Sequence, residues 1–136
     1  MSVPISKRTQ GRLEVDVLAL DLCEYTLHIT ANPANFPESQ ISFIEKIRNA
    51  ALDIHLLCWE ANNIRVGDSQ ERYTRRMALQ NQAIDQCNRL CALIEISKKL
   101  FHMSTKRTVY WMDKVTNLRA TITSWHNSDK KRLRGL

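Results

Sequence analysis

The chain is poor in the residues that interrupt helices and turn strands. Three Gly and three Pro occur in 136 residues. Proteins built from β-sheets need turn residues at short intervals, so this scarcity points to long helices with few connections. Long apolar runs are absent too: no stretch approaches the ~20 apolar residues that span a bilayer. Met1-Ser2-Val3-Pro4 has no apolar signal core, so the expected compartment is the cytoplasm, with no membrane partner.

Catalytic signatures are missing as well. No H-E-x-x-H, G-x-S-x-G, Walker loop or G-x-G-x-x-G occurs, and so few Gly leave little for a backbone phosphate cradle. The Glu-x-x-His pair that ligates two-metal sites in helix bundles is not found. Glu24 and His28 stand four apart, a spacing more often a surface contact, and His55, His102 and His126 are scattered over the other segments. No C-x-x-C pair is present among Cys23, Cys58, Cys87 and Cys91. Cys87 and Cys91 would share a helix face and so could pinch a metal, but both fall in an apolar stripe, where a free thiol behaves as a small hydrophobe. A disulfide framework is not expected without an export signal. The expectation is a protein that is not an enzyme and takes no cofactor and no metal.

What is present begins with ordinary globular composition, 43% hydrophobic and 25% charged, enough in one domain to bury a core. The net charge is +6 but is unevenly spread. Residues 1–60 carry 5 Lys and Arg against 8 Asp and Glu, while residues 61–136 carry 15 against 6. So lopsided a charge speaks of partners rather than fold, and a polyanion such as nucleic acid suits the basic half.

Apolar periodicity divides the chain into four helical segments. The first runs from about Arg12 to Thr30, with Leu13, Val17, Leu20 and Leu27 on one stripe and Leu18, Leu22, Tyr25 and Ile29 beside it. Asn32-Pro33 ends it. The second starts after Phe36-Pro37, with Glu38 and Ser39 as cap and first turn. Its series Ile44, Ile47, Ala51, Ile54, Cys58, Ala61 steps by threes and fours, extended around the helix by Leu52, Leu56 and Trp59, and Gly67 is the natural stop. The third opens on Asp68-Ser69-Gln70-Glu71, a capping-box pattern. Its seam is Tyr73, Met77, Gln80, Ile84, Cys87, Cys91, Ile94, Lys98 and Phe101, with Leu79, Ala83, Leu90, Leu93 and Leu100 as a second stripe. The fourth runs from Thr105, capped by Ser104 or Thr105 itself, to Trp125, stepping through Thr108, Trp111, Val115, Leu118, Ile122 and Trp125 as a heptad seam. Four such segments with short loops predict an all-α, antiparallel up-down-up-down four-helix bundle over residues 12–126. Residues 1–11 then form a basic N-terminal extension and residues 127–136 a basic, mobile tail.

The third and fourth segments also carry the cations. Arg72, Arg75 and Arg76 open the third at three- and four-residue spacing, so they crowd one helix face and repel by a few tenths of a kcal/mol per pair, about the size of a favourable pair of opposite sign. Arg89 follows, and Lys106, Arg107 and Lys114 lie on the fourth. A solvated face explains such a run; the one-sided sign of the whole half favours phosphate binding, for which the Arg fork is suited. No recognition helix or RNA module accompanies these residues, so backbone and shape contacts to RNA and DNA are expected rather than base reading. Trp111, Trp125 and Tyr110 would burden the surface if they fell outside the core, which hints at a homo-oligomer.

Phe36-Pro37-Glu38-Ser39-Gln40, then Ile47-Arg48-Asn49-Ala50-Ala51-Leu52-Asp53-Ile54, then Glu60-Ala61-Asn62 resemble the accessory variability determinant (Avd) family of diversity-generating retroelements. That family is grouped with the four-helix proteins named for intervening sequences in 23S ribosomal RNA. The resemblance runs from Phe36 to Trp125, and leaves Lys7, Arg8, Arg12 and Lys130-Lys131-Arg132 outside it. It implies an antiparallel four-helix bundle assembled into a five-fold, homopentameric ring with a basic surface. It also implies a non-enzymatic accessory role: binding the retroelement's reverse transcriptase and template RNA to support mutagenic reverse transcription. A four-helix RNA-binding protein of the ribosomal intervening-sequence type, or a purely structural oligomer, are the alternatives.

Overall fold

The computed structural model describes the backbone over residues 5–133 and side chains over residues 14–133. Four helices make up almost all of it: α1 (Ile5–Thr30), α2 (Ile41–Asn62), α3 (Gln70–Leu100) and α4 (Thr105–Arg132), with a single 3-10 turn at Glu38–Gln40 before α2. No strand occurs among the described residues, so the chain is an all-α four-helix bundle. No helix among them is long and apolar enough to cross a membrane.

Local chemistry sets the helix ends. Ser69 Oγ accepts the Arg72 N–H at 3.2 Å and Ser104 Oγ accepts the Arg107 N–H at 3.1 Å, each meeting one of the orphan donors of a helix start. With Ser69 as the cap, the residue three further on is Arg72, so Glu71 is not the second half of a capping box. Glu38 and Ser39 form the 3-10 turn rather than the first turn of α2, whose start has no side-chain cap. α2 also stops before Gly67, at Asn62; Gly67 sits in the following loop at φ +56°. At the end of α3, His102 takes a positive φ of 53° and the Met103 N–H reaches back to the Lys98 carbonyl at 3.1 Å, the 6→1 bond of a Schellman stop. The helix that follows does not end at Trp125. α4 continues to Arg132 and buries Asp129, through residues expected to form a mobile tail. The structure does not describe Arg134 or, at the other end, the side chains of Lys7, Arg8, Arg12 and Leu13.

Each helix packs on two neighbours, α1 on α2, α2 on α3, α3 on α4 and α4 on α1. The α2 series Ile44, Ile47, Ala51, Ile54, Cys58, Ala61 and the α4 series Thr108, Trp111, Val115, Leu118, Ile122, Trp125 are buried throughout. Each large side chain so buried contributes about 1.5–3 kcal/mol. Trp111 is fully enclosed, and its indole N–H donates to Thr26 Oγ1 at 3.1 Å, joining the start of α4 to the end of α1. Phe36, in the α1–α2 connection, packs edge-on against Phe101 at 5.0 Å and Trp111 at 6.2 Å, closing that end of the core.

Two faces expected inside are outside. On α1 the core side is Val15, Ala19, Leu22, Cys23 and Thr26, while Val17 and Leu20 face solvent. On α2, Leu52, Leu56 and Trp59 are exposed. With Trp111 and Trp125 in the core, the aromatic overhang is Trp59 instead, 56% exposed, together with Tyr110 on α4.

Candidate nucleic-acid interface

α3 starts at a side-chain cap, and its helical phase sorts the three arginines of its first turns. Arg76 shares the inward stripe of Gln80 and Cys87, while Arg72 and Arg75 are turned to solvent. Arg76 is 6% exposed. Its Nε donates to Asp129 Oδ2 at 2.7 Å, its Nη1 to the Ile64 carbonyl at 3.1 Å, and its guanidinium lies over the Trp125 ring at 5.3 Å. It is therefore withdrawn from the surface, which corrects its placement among phosphate-binding residues. Exposing it would leave the buried Asp129 with only the partly exposed Arg132 as counter-ion.

The same carboxylate organises the neighbourhood. Asp129 Oδ2 also accepts from Gln80 Nε2 at 2.8 Å, and Oδ1 from Arg132 Nη2 at 2.6 Å. Because Gln80 donates through its amide nitrogen, its Oε1 is the acceptor at 2.8 Å from His126 Nδ1, which must carry the proton there. Burial, reinforced by Lys130 and opposed by Asp129, holds the His126 imidazole below its usual pKa. This network escaped the sequence reading although one signal was present: the three-and-four stepping of α4 continues from Trp125 by one more step to Asp129. Gln80 is a polar member of the α3 seam, and Asp129 is its partner. Lys98, the other, has Nζ within 3.1 Å of Thr105 Oγ1 and 3.3 Å of the Met103 carbonyl, so it ties the α3–α4 turn.

Lys114 is also committed. Its ammonium donates to Asp21 Oδ2 at 2.6 Å and sits over the rings of Tyr25 at 5.4 Å and Tyr110 at 4.8 Å. The hydrogen bond to Asp21 raises its pKa, so it stays charged but locally neutralised. Arg72, Arg75, Arg89, Lys106 and Arg107 are exposed. They do not form one cluster. Arg72 and Arg75 lie at the start of α3, Arg89 near its middle, and Lys106 and Arg107 beyond its far end; 31 residues of helix make roughly 45 Å.

What the structure does gather is a smaller group that includes a residue not singled out from the sequence. Arg65, in the α2–α3 loop, joins Arg72, Arg75, Asn63 and Ile64 around a shallow recess of about 390 Å³. Ion pairs among the described residues are Arg76–Asp129, Arg132–Asp129 and Lys114–Asp21, so no carboxylate compensates Arg65, Arg72 or Arg75. Asp68 and Glu71 are close in sequence but pair with none of them. A loop cation adjacent to a helical one is invisible to periodicity, because loop residues have no face.

Comparison with known proteins returns no family model, no curated protein and no solved structure that matches this chain. Chemistry at the site must therefore be read from the residues themselves. Burial pushes the Cys58 and Cys87 thiols up to about 12, which leaves them protonated, poor nucleophiles and poor metal ligands. The half-buried Cys91 is raised too, first by burial, with Arg119 pulling the other way. No group of three or more His, Cys, Asp or Glu residues is placed to hold a metal ion among the described residues. The exposed chemistry is guanidinium and ammonium, whose natural counterpart is phosphate.

Proposed function

We propose that this protein is a non-enzymatic accessory factor that binds RNA and DNA through exposed cations, with little sequence preference, and acts beside a protein partner. The observation that carries this reading is the set of exposed cations left without carboxylates on the C-terminal half, Arg72, Arg75, Lys106 and Arg107 above all. The resemblance to the Avd family makes a retroelement's reverse transcriptase the partner and its template RNA the ligand. Labelled single-stranded RNA, titrated over a range of salt, is expected to show affinity falling with a log–log slope of roughly −0.7 per phosphate contacted. A parent protein that binds no RNA at low salt overturns the reading. The partner half is tested by co-purification with a reverse transcriptase encoded beside it, and fails if the two do not associate.

The bundle is read as antiparallel, up-down-up-down. Contacts between an early or middle turn of one helix and a late turn of its neighbour support this: Asp16 Oδ1 with Asn62 Nδ2 at 2.7 Å, Arg76 with Asp129, and Trp111 with Thr26. Assembly into a closed homo-oligomer, five-fold by the family resemblance, is part of the same proposal. It is supported by apolar surface along the α1–α2 seam. The Asn62–Asp16 bond brings the α1 turns carrying Val17 and Leu20 level with the α2 turns carrying Leu56 and Trp59. Val17 is 63% exposed, and all four lie on the outside. Clustered apolar residues of this size on a small protein mark a surface that another protein covers. Substituting Leu56→Glu with Trp59→Glu is expected to convert the oligomer to monomer in sedimentation while helicity is kept. A parent chain that sediments as a monomer at micromolar concentration refutes assembly, and an unchanged oligomer in the double variant moves the interface elsewhere.

A further inference from the structure

The recess between the α2–α3 loop and the start of α3 has not been assigned a ligand, and we propose that it seats a single phosphate group of a bound nucleic-acid strand, held by Arg65, Arg72 and Arg75. This rests on the nucleic-acid reading above but is narrower: it names one of the two ends of the bundle and one chemical group.

Charge comes first. Three guanidiniums face one recess of about 390 Å³ and no carboxylate pairs with any of them. Asp129 serves both Arg76 and Arg132, and Asp21 serves Lys114, whereas the recess arginines, like Lys106 and Arg107 at the far end, have no ion-pair partner among the described residues. Asp129 is spent on the arginine behind the recess and leaves the three in front uncompensated, a local excess of positive charge that an anion relieves. The residue type matters as well. All three are Arg, which offers a planar fork of donors matching phosphate oxygens, where Lys offers a point charge. The recess is larger than one phosphate group, so the attached sugar can follow it in.

The site is also built in advance of its ligand. Arg76 Nη1 donates to the Ile64 carbonyl at 3.1 Å, and Ile64 lines the recess. Arg72 Nη1 lies 3.4 Å from the Arg65 carbonyl. Val66 is buried beneath the loop, and its carbonyl accepts the Ser69 N–H at 3.0 Å. The loop is thus pinned from α3 on both sides of Arg65, so binding has little ordering left to do. The Asn63 amide is engaged with the Trp59 carbonyl at 2.7 Å and fixes the rim rather than the ligand.

The phosphate has two sources on a nucleic acid, an internal diester or the terminal monoester, and one experiment separates them. Fluorescence anisotropy is measured with single-stranded oligonucleotides bearing either a 5′-phosphate or a 5′-hydroxyl. The proteins are the parent, a recess variant (Arg65→Gln, Arg72→Gln, Arg75→Gln) and a control at the far end of the bundle (Lys106→Gln, Arg107→Gln). The recess variant is expected to bind at least about tenfold more weakly, with a salt slope shallower by about 0.7, the worth of one phosphate contact on a single strand. The control loses no more than about threefold. A recess preference for the 5′-phosphate identifies the monoester; equal binding identifies the diester. In parallel, inorganic pyrophosphate is titrated into the full chain while the Arg Nε–Hε resonances are followed. Shifts confined to Arg65, Arg72 and Arg75 are expected, and their absence at millimolar pyrophosphate overturns the site by itself. If the recess variant binds like the parent, or the control loses as much, the recess is refuted while nucleic-acid binding stands. A parent that binds neither oligonucleotide refutes nucleic-acid binding, and the pyrophosphate titration then decides the recess alone.

Discussion

Asp129→Ala is expected to lower the unfolding free energy by about 3–5 kcal/mol, the cost of removing one partner from a buried ion pair. The carboxylate is 2% exposed and its two oxygens take donors from Arg76, Gln80 and Arg132. Without it, the Arg76 charge remains in the interior, and the fully buried Gln80 loses an acceptor. Against a typical total of about 5–15 kcal/mol that is a large fraction. Urea denaturation measures it, and a midpoint within error of the parent refutes it. A second variant distinguishes the charge from the packing. Adding Arg76→Met to Asp129→Ala removes the orphaned cation, and replacing both partners of a buried pair by apolar groups is often nearly neutral, so stability is expected to recover in part. Arg132→Ala costs little, since that side chain reaches the carboxylate from a partly exposed position.

Ile54→Asp is the second large effect. Ile54 is fully buried in the middle of α2, in line with Ile47, Ala51 and Cys58. An isolated carboxylate there either stays charged at a cost of several kcal/mol or takes up a proton and is still left short of partners. The expected result is a chain that is largely unfolded at room temperature by circular dichroism. Leu56→Asp, two residues away, serves as the contrast. Leu56 is on the solvent side of the same helix, so this variant is expected to keep its helicity. If both variants unfold, the outer stripe of α2 contributes to folding itself. If neither does, the inward face of α2 is misplaced.

The contrast between Ile54 and Leu56 shows where sequence periodicity stops. α2 and α4 have unambiguous three-and-four series, and each member of those series is buried. α1 carries apolar residues nearly all the way round, so its pattern offers more than one inward face. The face that is buried includes Ala19, Cys23 and Thr26, small or polar residues that a hydrophobicity count passes over. Thr26 is inside because the Trp111 indole needs an acceptor, and that partner is 85 residues away. Large residues such as Val17 and Leu20 then fall outside, where only another molecule can cover them.

The basic surface divides in the same way. Composition alone placed the cations on the C-terminal half, and Arg72 and Arg75 are exposed on α3 as helical spacing allowed. Helical phase sets Arg76 on the inward stripe of Gln80 and Cys87, but phase alone does not make burial of a charge tolerable. Its burial depends on Asp129, 53 residues further on, and on a final stretch of α4 expected to be mobile. Helix ends, heptad series and charge asymmetry are properties of short stretches of chain, so the sequence by itself determined four helices, the cores of α2 and α4 and the sign of the surface. Which arginines reach solvent, which apolar stripe is left uncovered and where Arg65 meets Arg72 and Arg75 are settled by pairings between distant residues. Those were decided only by the tertiary structure, because burying a charge is tolerable only where a partner of opposite sign arrives with it.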